Sequence, residues 1–430
     1  MIIKNEFDVV VVGGGTAGVS CAYNLGIRGL SVLLIEKNTF LGGSITSSLV
    51  IPAMKTSNNS INNDFFEVLY KKLNSMLGAI TYSDGNKGWF NPELTKIALD
   101  ELMKDANVHV LFESNIYKIE EDNNKILSIY VDTIDNNKIT LRDDKVLSQP
   151  IVAKYYVDAT GDANFCEKIN CELLENNLEN SQPINLRFIM SGINSKVFAE
   201  WLLEYDSNRD VTTCTVIDDE YYVSTAYTWD SNIEWALKPL VERAIAENVV
   251  TAEDMNYFQL FSIARTPDSI AFNAPRILDS SITRSEAYLA GRQAIYRISS
   301  FCQKYLPGFE KAYISNIASS LGVRVSNRVK GKYIYTIDDL LSCKTFDNPV
   351  VRSNYPVDIH SNKKNNSVLK KVEKEYELPI ESLFVDKYEN LFVIGRCISA
   401  DFKAQAALRI IPSCFSMGEG LAKYLANELK

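Results

Sequence analysis

Residues 7–18 of this chain read FDVVVVGGGTAG, a short apolar strand that runs directly into a glycine-rich turn and then a helix. In this spacing Gly13 permits the tight turn, Gly15 lets a pyrophosphate approach the backbone, and Gly18 lets helix and strand pack closely. The start of the helix presents free N–H groups and the positive end of its dipole to a diphosphate. Glu36 ends the next apolar strand and is placed to accept hydrogen bonds from a ribose diol. The stretch predicts a dinucleotide-binding site and leaves open which dinucleotide it binds.

Length and composition are those of an ordinary globular protein. At 430 residues the chain exceeds one typical domain, and its 46% hydrophobic and 23% charged residues are usual for a soluble protein. The formal net charge of −9 argues against nucleic acid as the main partner. No uninterrupted apolar stretch reaches the roughly 18–20 residues that a membrane span needs. The first residues lead into the first strand without a signal-peptide pattern, so we expect a cytoplasmic protein with no membrane partner.

The cysteines and histidines predict neither a disulfide framework nor a metal centre. The 8 cysteines are scattered over the chain, and 2 histidines are too few for a His-rich metal site. Cys166 and Cys171 have the CxxxxC spacing of flavin disulfide reductases, but they lie far downstream of the glycine turn. We interpret them as structural thiols, with a redox disulfide as the alternative. His109 lies in an alternating strand and is interpreted as structural.

The organisation of the chain favours one class of nucleotide-binding fold over another. Asn91 is the predicted N-cap of a helix whose apolar residues recur at helical spacing. A run of strands over residues 108–157 follows and ends in the turn DATGD at 158–162. Such a meander is unlike a nicotinamide dehydrogenase, in which strand and helix alternate, and is typical of FAD-binding folds. Further predicted elements are a helix over 282–305, a buried strand over 391–395 and a closing helix over 413–425.

Several motifs occur together in the order that one family has them. Besides the glycine turn they are LGGS at 41–44, VDATGD at 157–162, GVR at 322–324, YPVDIH at 355–360, GRCISA at 395–400, LR at 408–409 and CFSMG at 414–418. With these motifs the chain resembles the bacterial FAD-dependent oxidoreductases, distant relatives of the glutathione-reductase-like and fumarate-reductase-like flavoproteins. The resemblance covers nearly the whole chain.

The resemblance implies FAD as the cofactor and also implies a fold class. That class is α/β, with a Rossmann-type FAD-binding domain of the glutathione-reductase-like class and an inserted mixed α+β substrate domain. The FAD-binding domain is expected to be discontinuous and to comprise residues 1–50, 91–166 and 356–430. The substrate or cap domain is expected to comprise residues 51–90 and 167–355. The resemblance implies little about what is oxidised.

The resemblance also implies which positions contact FAD. The glycine turn would hold the pyrophosphate, Glu36 the adenosine ribose, and the loop after the second strand would run beside the flavin. The turn at 159–161 would pass near the adenine and pyrophosphate, and residues 395–401 would supply backbone contacts to the ribityl chain and ring. A helix start near Pro412 would face the N1–C2 carbonyl edge of the flavin. The full expected set is Gly13, Gly15, Thr16, Ala17, Gly18, Glu36, Lys37, Gly42, Gly43, Ser44, Ala159, Thr160, Gly161, Gly395, Arg396, Asp401 and Gly418.

Two positions depart from the family's pattern. Val325 stands where many relatives carry an acid, and Asn327 stands where relatives often have the first of two adjacent arginines. If these side chains shape the substrate site, the substrate differs from that of the relatives. Cys397 and Cys414 fall in flavin-proximal motifs, and we interpret them as small buried side chains, with covalent or redox work as the alternative.

Three residues are candidates for chemistry, because a flavin carries the hydride and the protein must position the substrate and manage a proton. His360 is the leading acid or base, since its ordinary pKa lies near neutrality and it follows Asp358 on one face of a strand. Arg409 and Arg324 are placed to bind a substrate carboxylate, and Arg409 also to compensate an anionic flavin. The alternatives are a buried histidine bonded to a backbone carbonyl and arginines in structural ion pairs.

The resulting hypothesis is an FAD-dependent oxidoreductase that transfers a hydride between a small polar metabolite, with a carboxylate, and flavin N5. No second glycine fingerprint is present for a dedicated NAD(P)H domain, which disfavours nicotinamide-linked disulfide reduction. The alternatives are a reductase of an activated double bond, a flavin monooxygenase, and an electron-passing subunit. The expected partners are a small-molecule substrate and an electron acceptor that the sequence does not identify.

Overall fold

A computed structural model describes residues 5–81, 88–133, 150–175, 181–209, 211–227, 235–277, 282–359 and 368–430. Within these ranges the helices are α1 (Thr16–Gly26), α2 (Asp64–Ser75), α3 (Pro92–Asp105), α4 (Asn164–Lys168), α5 (Ser195–Tyr205), α6 (Lys238–Ala246), α7 (Arg284–Tyr305), α8 (Ile337–Leu341), α9 (Phe402–Leu408) and α10 (Ile411–Glu428). The strands are β1 (Glu6–Val12), β2 (Val32–Ile35), β3 (Ala79–Ile80), β4 (Trp89–Phe90), β5 (His109–Leu111), β6 (Ser114–Asp122), β7 (Lys125–Thr133), β8 (Val152–Asp158), β9 (Ile184–Asn185), β10 (Phe188–Ser191), β11 (Thr212–Ile217), β12 (Glu220–Tyr227), β13 (Phe258–Ile263), β14 (Thr266–Phe272), β15 (Arg276–Ile277), β16 (Tyr313–Ile317), β17 (Pro349–Ser353), β18 (Val357–Ile359), β19 (Val368–Lys370), β20 (Tyr376–Pro379) and β21 (Leu391–Val393). None of these helices is long and apolar enough to cross a membrane.

A five-stranded parallel sheet carries the glycine turn. Its strand order is β21-β8-β1-β2-β5, with β1 at the centre. Val9 and Val11 of β1 are fully buried, as a parallel strand covered on both faces requires. The Rossmann-like α/β architecture that the sequence predicts is therefore present, and the carboxyl end of its central strand opens into the glycine turn.

The central part of the chain forms a second sheet with a core of its own. Six antiparallel strands lie in the order β11-β12-β13-β14-β10-β16. Phe188 and Phe272 stack with their ring centroids 4.6 Å apart, and side chains of α5 and α7 complete this core. We call the unit built on this sheet the cap. It lies within the central region that was expected to hold the substrate domain.

The core boundaries differ from the expected division of the chain in two places. Residues 51–90 were expected in the cap, but the apolar face of α2, with Phe65, Leu69 and Leu73, packs into the core of the parallel sheet. In addition, β17 pairs with β20, so one small antiparallel sheet spans the expected boundary at residue 355. Both differences arise from contacts between segments distant in the sequence, helix packing for α2 and strand pairing for β17 and β20, which local composition does not reveal.

Most predicted elements are confirmed, with small changes at their ends. The Asn91 side chain accepts hydrogen bonds from the N–H groups of Glu93 and Leu94 and so caps α3. The helix predicted over 282–305 begins two residues later, because Thr283 forms a capping box with Glu286. The closing helix α10 begins earlier than predicted, since proline in its first turn is compatible with a helix start.

Helices α1 and α10 pack against each other at a glycine. A Cβ atom on Gly418 would lie 2.3 Å from the carbonyl oxygen of Ala17 and 2.8 Å from the backbone nitrogen of Cys21. Real Cβ atoms do not approach backbone this closely, so only glycine lets the two helices touch. Helix packing thus explains the missing side chain of Gly418, and its expected contact with the cofactor stays a prediction.

Gly418→Ala is therefore expected to lower the free energy of unfolding by about 3 kcal/mol, because α10 must move away from α1. The matched control is Gly29→Ala, whose Cβ would meet nothing within 4 Å although its φ is +82°. That variant should lose only about 1 kcal/mol, the cost of a left-handed alanine. Urea denaturation midpoints measure both, and equal midpoints would contradict the packing role of Gly418.

Candidate active site

The glycine turn, the start of α1 and the end of β8 meet at one point. Gly13 has a φ of +103°, and a Cβ on it would lie 2.6 Å from the carbonyl oxygen of Ala159. A Cβ on Gly18 would lie 1.9 Å from the carbonyl oxygen of Gly13. These are the tight turn and the close helix–strand packing that the spacing of the motif predicts.

Gly15 differs from its neighbours because its missing side chain leaves open space. The nearest atoms to a Cβ there are the Cα of Gly43 at 3.9 Å and the carbonyl oxygen of Ala159 at 4.0 Å. Gly15 is also the N-cap of α1, and no side chain caps that helix, so the N–H groups of Thr16 and Ala17 face this space without a capping side chain. Open space beside an uncapped helix N-terminus is what a diphosphate requires.

A second glycine loop closes against the first. The N–H of Gly42 donates to the carbonyl oxygen of Gly14 at 2.8 Å, and Gly42 and Gly43 have φ values of +104° and +55°. A Cβ on Gly43 would lie 2.8 Å from the Cα of Gly15. Ser44 is half-buried next to them. Two backbones in such close contact form a narrow groove floor without side chains.

Glu36 is buried at the edge of this floor and is held in place by backbone. Its carboxylate accepts hydrogen bonds from the N–H of Gly14 at 2.7 Å and from the N–H and side-chain amide of Asn38 at 2.9 and 2.8 Å. A carboxylate has about four acceptor sites, so these bonds leave it able to accept from a ribose. Lys37, by contrast, is exposed.

Asp158 organises the turn after β8, although it was not among the predicted site residues. The carboxylate is fully buried and accepts from the N–H and hydroxyl of Thr160 at 3.0 and 2.7 Å. It also accepts from the N–H groups of Phe165 and Cys166. Burial raises the pKa of Asp158 and these hydrogen bonds act in the opposite direction. The Thr160 hydroxyl is therefore used to shape the turn. An acid that ends a buried strand is the sequence signal for such a role.

The side chains of Arg396 and Asp401 serve protein contacts. Arg396 forms an ion pair with Asp162 at 2.5 Å and donates to the carbonyl oxygen of Val323 at 2.9 Å. Asp401 caps α9 and also accepts from the N–H of Ile337 at 2.6 Å. These side chains are thus engaged within the protein, which leaves the backbone of residues 395–401 for the expected cofactor contacts.

Burial favours the neutral form of Asp162, but the charges of Arg396 and Arg284 and the Ser326 hydroxyl hold the pKa of that carboxyl well below its ordinary value. A Cβ atom added to Gly161 would lie 3.4 Å from the Arg396 guanidinium. This ion pair therefore joins the turn after β8 to the segment after β21.

Gly395 brings that segment back to the glycine turn. It has a φ of +84°, and a Cβ on it would lie 3.4 Å from the Cβ of Ala17, in the first turn of α1. The helix α10 that follows has Ile410 as its N-cap and no side-chain cap. Both features agree with the expectation that residues from 395 to the start of α10 border the cofactor.

Four buried or half-buried arginines lie together beside this groove. The two predicted ones, Arg324 and Arg409, are joined by Arg187, next to β10, and Arg276, in β15. Burial first, and then the charges of Arg409, Arg276 and Arg187, lower the pKa of Arg324 to about 9. Burial and the charge of Arg409 lower the pKa of Arg187 to about 10. Both groups remain cations at neutral pH. We call these four residues the arginine cluster.

Two tyrosines and a carboxylate are among the described groups around the arginine cluster. The Arg276 guanidinium lies over the ring of Tyr257, with Cζ 3.9 Å from the ring centroid. The Arg409 guanidinium lies 3.5 Å from the Asp358 carboxylate and donates to the backbone carbonyl oxygen of Asp358 at 3.3 Å. The phenol of Tyr355 is buried, which raises its pKa, and the charges of Asp358 and Arg409 also act on it. His360, predicted two residues beyond Asp358, lies outside the described residues, so its role stays a prediction.

Hydrogen bonds connect the arginine cluster to the groove. The buried Gln405 side chain donates to the carbonyl oxygens of Arg324 and Arg396, at 3.2 and 3.1 Å. Arg187 donates to the carbonyl oxygen of Leu49, just after the second glycine loop, at 3.3 Å. The arginine cluster therefore lies where the cap meets the parallel-sheet unit. The sequence analysis did not select Arg187, Arg276 or Gln405. The two arginines are single cations between apolar residues, and this pattern could have marked them as buried charges.

The four cysteines weighed in the sequence are buried thiols. All eight are free thiols, and Cys166, Cys171, Cys397 and Cys414 are buried. Burial raises the pKa of the Cys166 and Cys397 thiols, which makes them poor nucleophiles.

His109 is exposed on β5 and packs edge-on against Phe7.

Comparison with known proteins identifies the family. Residues 8–429 match the sequence family described as FAD dependent oxidoreductase. The chain belongs to this family. FAD is therefore the cofactor of this enzyme.

Curated relatives match only short segments. The chain is 43% identical over 44 residues to the mitochondrial glycerol-3-phosphate dehydrogenase of Saccharomyces cerevisiae, which is 10% of this chain and 7% of that protein. It is 33% identical over 113 residues to the ferredoxin–NADP reductase of Mycoplasmoides gallisepticum, which is 25% of this chain and 34% of that protein. The match thus spans about a third or less of either relative.

One solved structure supports the fold over the full length. The complex of aklavinone-11 hydroxylase with FAD and aklavinone superposes with a TM-score of 0.53 and 11% identity, covering 100% of this chain and 63% of that chain. At this identity the likeness concerns the fold alone.

The groove fits FAD on observations of this chain. The space at Gly15 and the uncapped start of α1 suit the diphosphate, and Glu36 is fixed at the edge where a ribose would bind. The backbone around Gly43 and Gly395 lies within contact of the same turn. These residues would hold the cofactor, and their individual roles remain predictions.

Gly15→Val tests the placement of the diphosphate. Because a Cβ at this position meets no protein atom closer than 3.9 Å, the variant should fold as the wild-type apoprotein does. The added side chain would occupy the diphosphate's space, so the purified variant should contain little or no FAD. Flavin absorbance and the melting temperature relative to wild-type apoprotein measure these outcomes. A fully yellow variant would show that the diphosphate binds elsewhere.

Proposed function

We propose that this enzyme transfers a hydride between a small, carboxylate-bearing metabolite and N5 of FAD. The observation that supports the proposal is the arginine cluster, which lies beside the groove and contains both arginines predicted from the sequence. FAD, when bound, supplies the hydride-accepting or hydride-donating centre. The chain's own residues then bind the acid, orient it and move a proton. A glutathione-reductase-like class for the FAD-binding domain is part of the same proposal.

The charge of the arginine cluster favours an anionic substrate. Burying a cation without a partner costs several kcal/mol, roughly, so uncompensated guanidinium groups are kept where an anion binds them. Within the described part of the chain, Arg324 donates to the carbonyl oxygen of Pro183 at 2.6 Å. The Nε of Arg409 is buried and has no hydrogen-bond partner among the described residues. Both guanidinium groups therefore retain donors that a carboxylate can accept from in a bidentate manner.

Proton transfer is assigned to His360, which follows Asp358 by two positions in the sequence. Oxidation of a hydroxy or amino acid releases a proton as the hydride leaves, and reduction of an unsaturated acid takes one up. His360 is the proposed acid or base, on the sequence argument given above. The same residues would serve either direction, and the electron acceptor would decide which direction prevails.

Anaerobic bleaching of the yellow holoenzyme tests the proposal. Amino, hydroxy and saturated acids are added in turn, and one carboxylate-bearing class should remove the flavin absorbance. Arg409→Gln should raise the concentration needed for half-maximal bleaching by about 100-fold, because a buried charge pair with the substrate is lost. Arg292→Gln, an exposed arginine on α7, is the control and should behave as wild type. Bleaching by uncharged compounds alone, unaffected at Arg409, would refute the proposal.

His360→Ala should slow bleaching by about 100-fold or more while flavin content stays intact, because proton transfer to a positioned base is lost. The matched control is His109→Ala, at an exposed position on β5. Unchanged rates in the His360 variant would remove this residue from the mechanism.

A further inference from the structure

We infer that Cys166 and Cys171 are a modification site, at which hydrogen peroxide converts two thiols into a reversible disulfide. The site lies at the end of α4, directly after the turn at 158–162. The spacing of the two cysteines alone left a redox disulfide as the alternative to two structural thiols. The folded chain supplies the geometry that favours the disulfide, and the inference does not depend on which substrate the enzyme takes.

The end of α4 brings the two cysteines together. Asn170 has a φ of +51°, the N–H of Cys171 donates to the carbonyl oxygen of Cys166 at 3.0 Å, and the N–H of Asn170 donates to the carbonyl oxygen of Glu167 at 3.1 Å. These two bonds define a Schellman motif, in which the side chains at the positions of Cys166 and Cys171 frequently contact each other.

The same hydrogen bond limits the distance between the two backbones. With standard bond lengths, a bond of 3.0 Å between the N–H of Cys171 and the carbonyl oxygen of Cys166 keeps their Cα atoms within about 7 Å. Disulfides have Cα separations of roughly 4.4–6.8 Å, so the backbone is already placed for a disulfide.

The two side chains face the same interior. Cys166 and Cys171 belong to one apolar core, which also contains Cys397. Burial first, and then the neighbouring Cys171 thiol as a hydrogen-bond partner, raise the pKa of Cys166. The two sulfur atoms are therefore neighbours, and rotation about the side-chain bonds can bring them to bonding distance.

Cys397 is close to this pair, but its sulfur is engaged elsewhere. The Cys397 thiol donates to the carbonyl oxygen of Ile394 at 3.6 Å and accepts hydrogen bonds from the N–H groups of Gly161 and Ala163. These bonds direct the sulfur of Cys397 towards the turn after β8. Cys166 and Cys171 are therefore the expected partners of each other.

Exposure decides which sulfur reacts first. Cys171 is 7% exposed and lies between the exposed residues Asn170 and Glu172, whereas Cys166 and Cys397 are fully buried. Because oxidation of a cysteine by peroxide requires access to its sulfur, Cys171 is the first site of attack.

The chemistry proceeds in two balanced steps. The sulfur of Cys171 bonds to one oxygen of hydrogen peroxide as the O–O bond breaks, which gives a sulfenic acid and one water. The sulfur of Cys166 then bonds to the sulfur of Cys171, and the S–O bond breaks. The thiol proton of Cys166 leaves with the hydroxyl group as a second water. Although burial makes Cys166 a poor nucleophile, it attacks a sulfur that is already its neighbour. A dithiol reverses the reaction by exchange.

Peptide mapping of the FAD-loaded enzyme tests the inference. The native enzyme is treated with hydrogen peroxide, the peroxide is removed, and the remaining thiols are blocked with N-ethylmaleimide during denaturation. Trypsin cleaves after Lys154, Lys168 and Arg187 and so places the two cysteines in separate peptides, 155–168 and 169–187. Mass spectrometry should find these peptides joined before reduction and separate after dithiothreitol. The joined form should be at least about tenfold more abundant than any other disulfide-linked pair.

Two variants test the order of the steps. Cys166→Ser leaves Cys171 without its partner, so dimedone, a probe for sulfenic acid, should label peptide 169–187. In Cys171→Ser, label on peptide 155–168 should be at least about tenfold weaker, because Cys166 is fully buried. Equal labelling in the two variants would contradict Cys171 as the first site of oxidation. Cys343→Ser, at a half-buried cysteine, is the control and should form the joined peptides as wild type does.

The wild-type enzyme alone can refute the inference, whether or not the variants fold. Absence of the joined peptides after oxidation of the native enzyme would overturn it. A disulfide that includes Cys397 in place of either partner would do the same. Joined peptides that form only when peroxide is present during denaturation would show that the unfolded chain, and not the folded enzyme, makes the disulfide.

Discussion

Close approach of backbone to backbone at the carboxyl end of β1 is the constraint on which the rest of the molecule depends. Gly13 lies against Ala159, Gly18 against Gly13, and Gly43 against Gly15, at separations that exclude any Cβ atom. These contacts bring the turns after β1, β2 and β8 to one point. The floor of the groove is therefore made of N–H and carbonyl groups, with no side chain in the space that the cofactor diphosphate needs.

The groove and the arginine cluster are both positively charged. The uncapped starts of α1 and α10 contribute partial positive charge, and the arginine cluster contributes full charges nearby. Burying these positive charges costs free energy in the empty protein, and a bound anion offsets that cost. The chain as a whole has a net charge of −9, so the positive charge is confined to this site. An anionic cofactor and an anionic substrate are the natural complement of such a site.

The two units of the protein contribute differently to this site. The parallel-sheet unit supplies the groove, Gln405 from α9 and Arg409 from the position directly after α9. The cap supplies Tyr257, which directly precedes β13, and Arg276 in β15, which pairs with β9 in a small sheet of two strands. Arg187, next to β10 of the cap, donates to the carbonyl oxygen of Leu49, so a hydrogen bond joins the two units at the arginine cluster. A shift of the cap would therefore alter the arginine cluster before it altered the groove.

The sequence by itself determined the local features: the strand–turn–helix at residues 7–18, the Asn91 cap of α3, and Gly13 and Gly18 as turn and packing positions. Each depends on residues within a few positions of one another, where backbone preference and spacing suffice. Tertiary structure alone decided the placement of α2 in the first core, the packing role of Gly418 and the engagement of Arg396 with Asp162. It also decided that Arg187 and Arg276 join Arg324 and Arg409, because residues so far apart in the sequence meet only when the cap packs on the parallel-sheet unit.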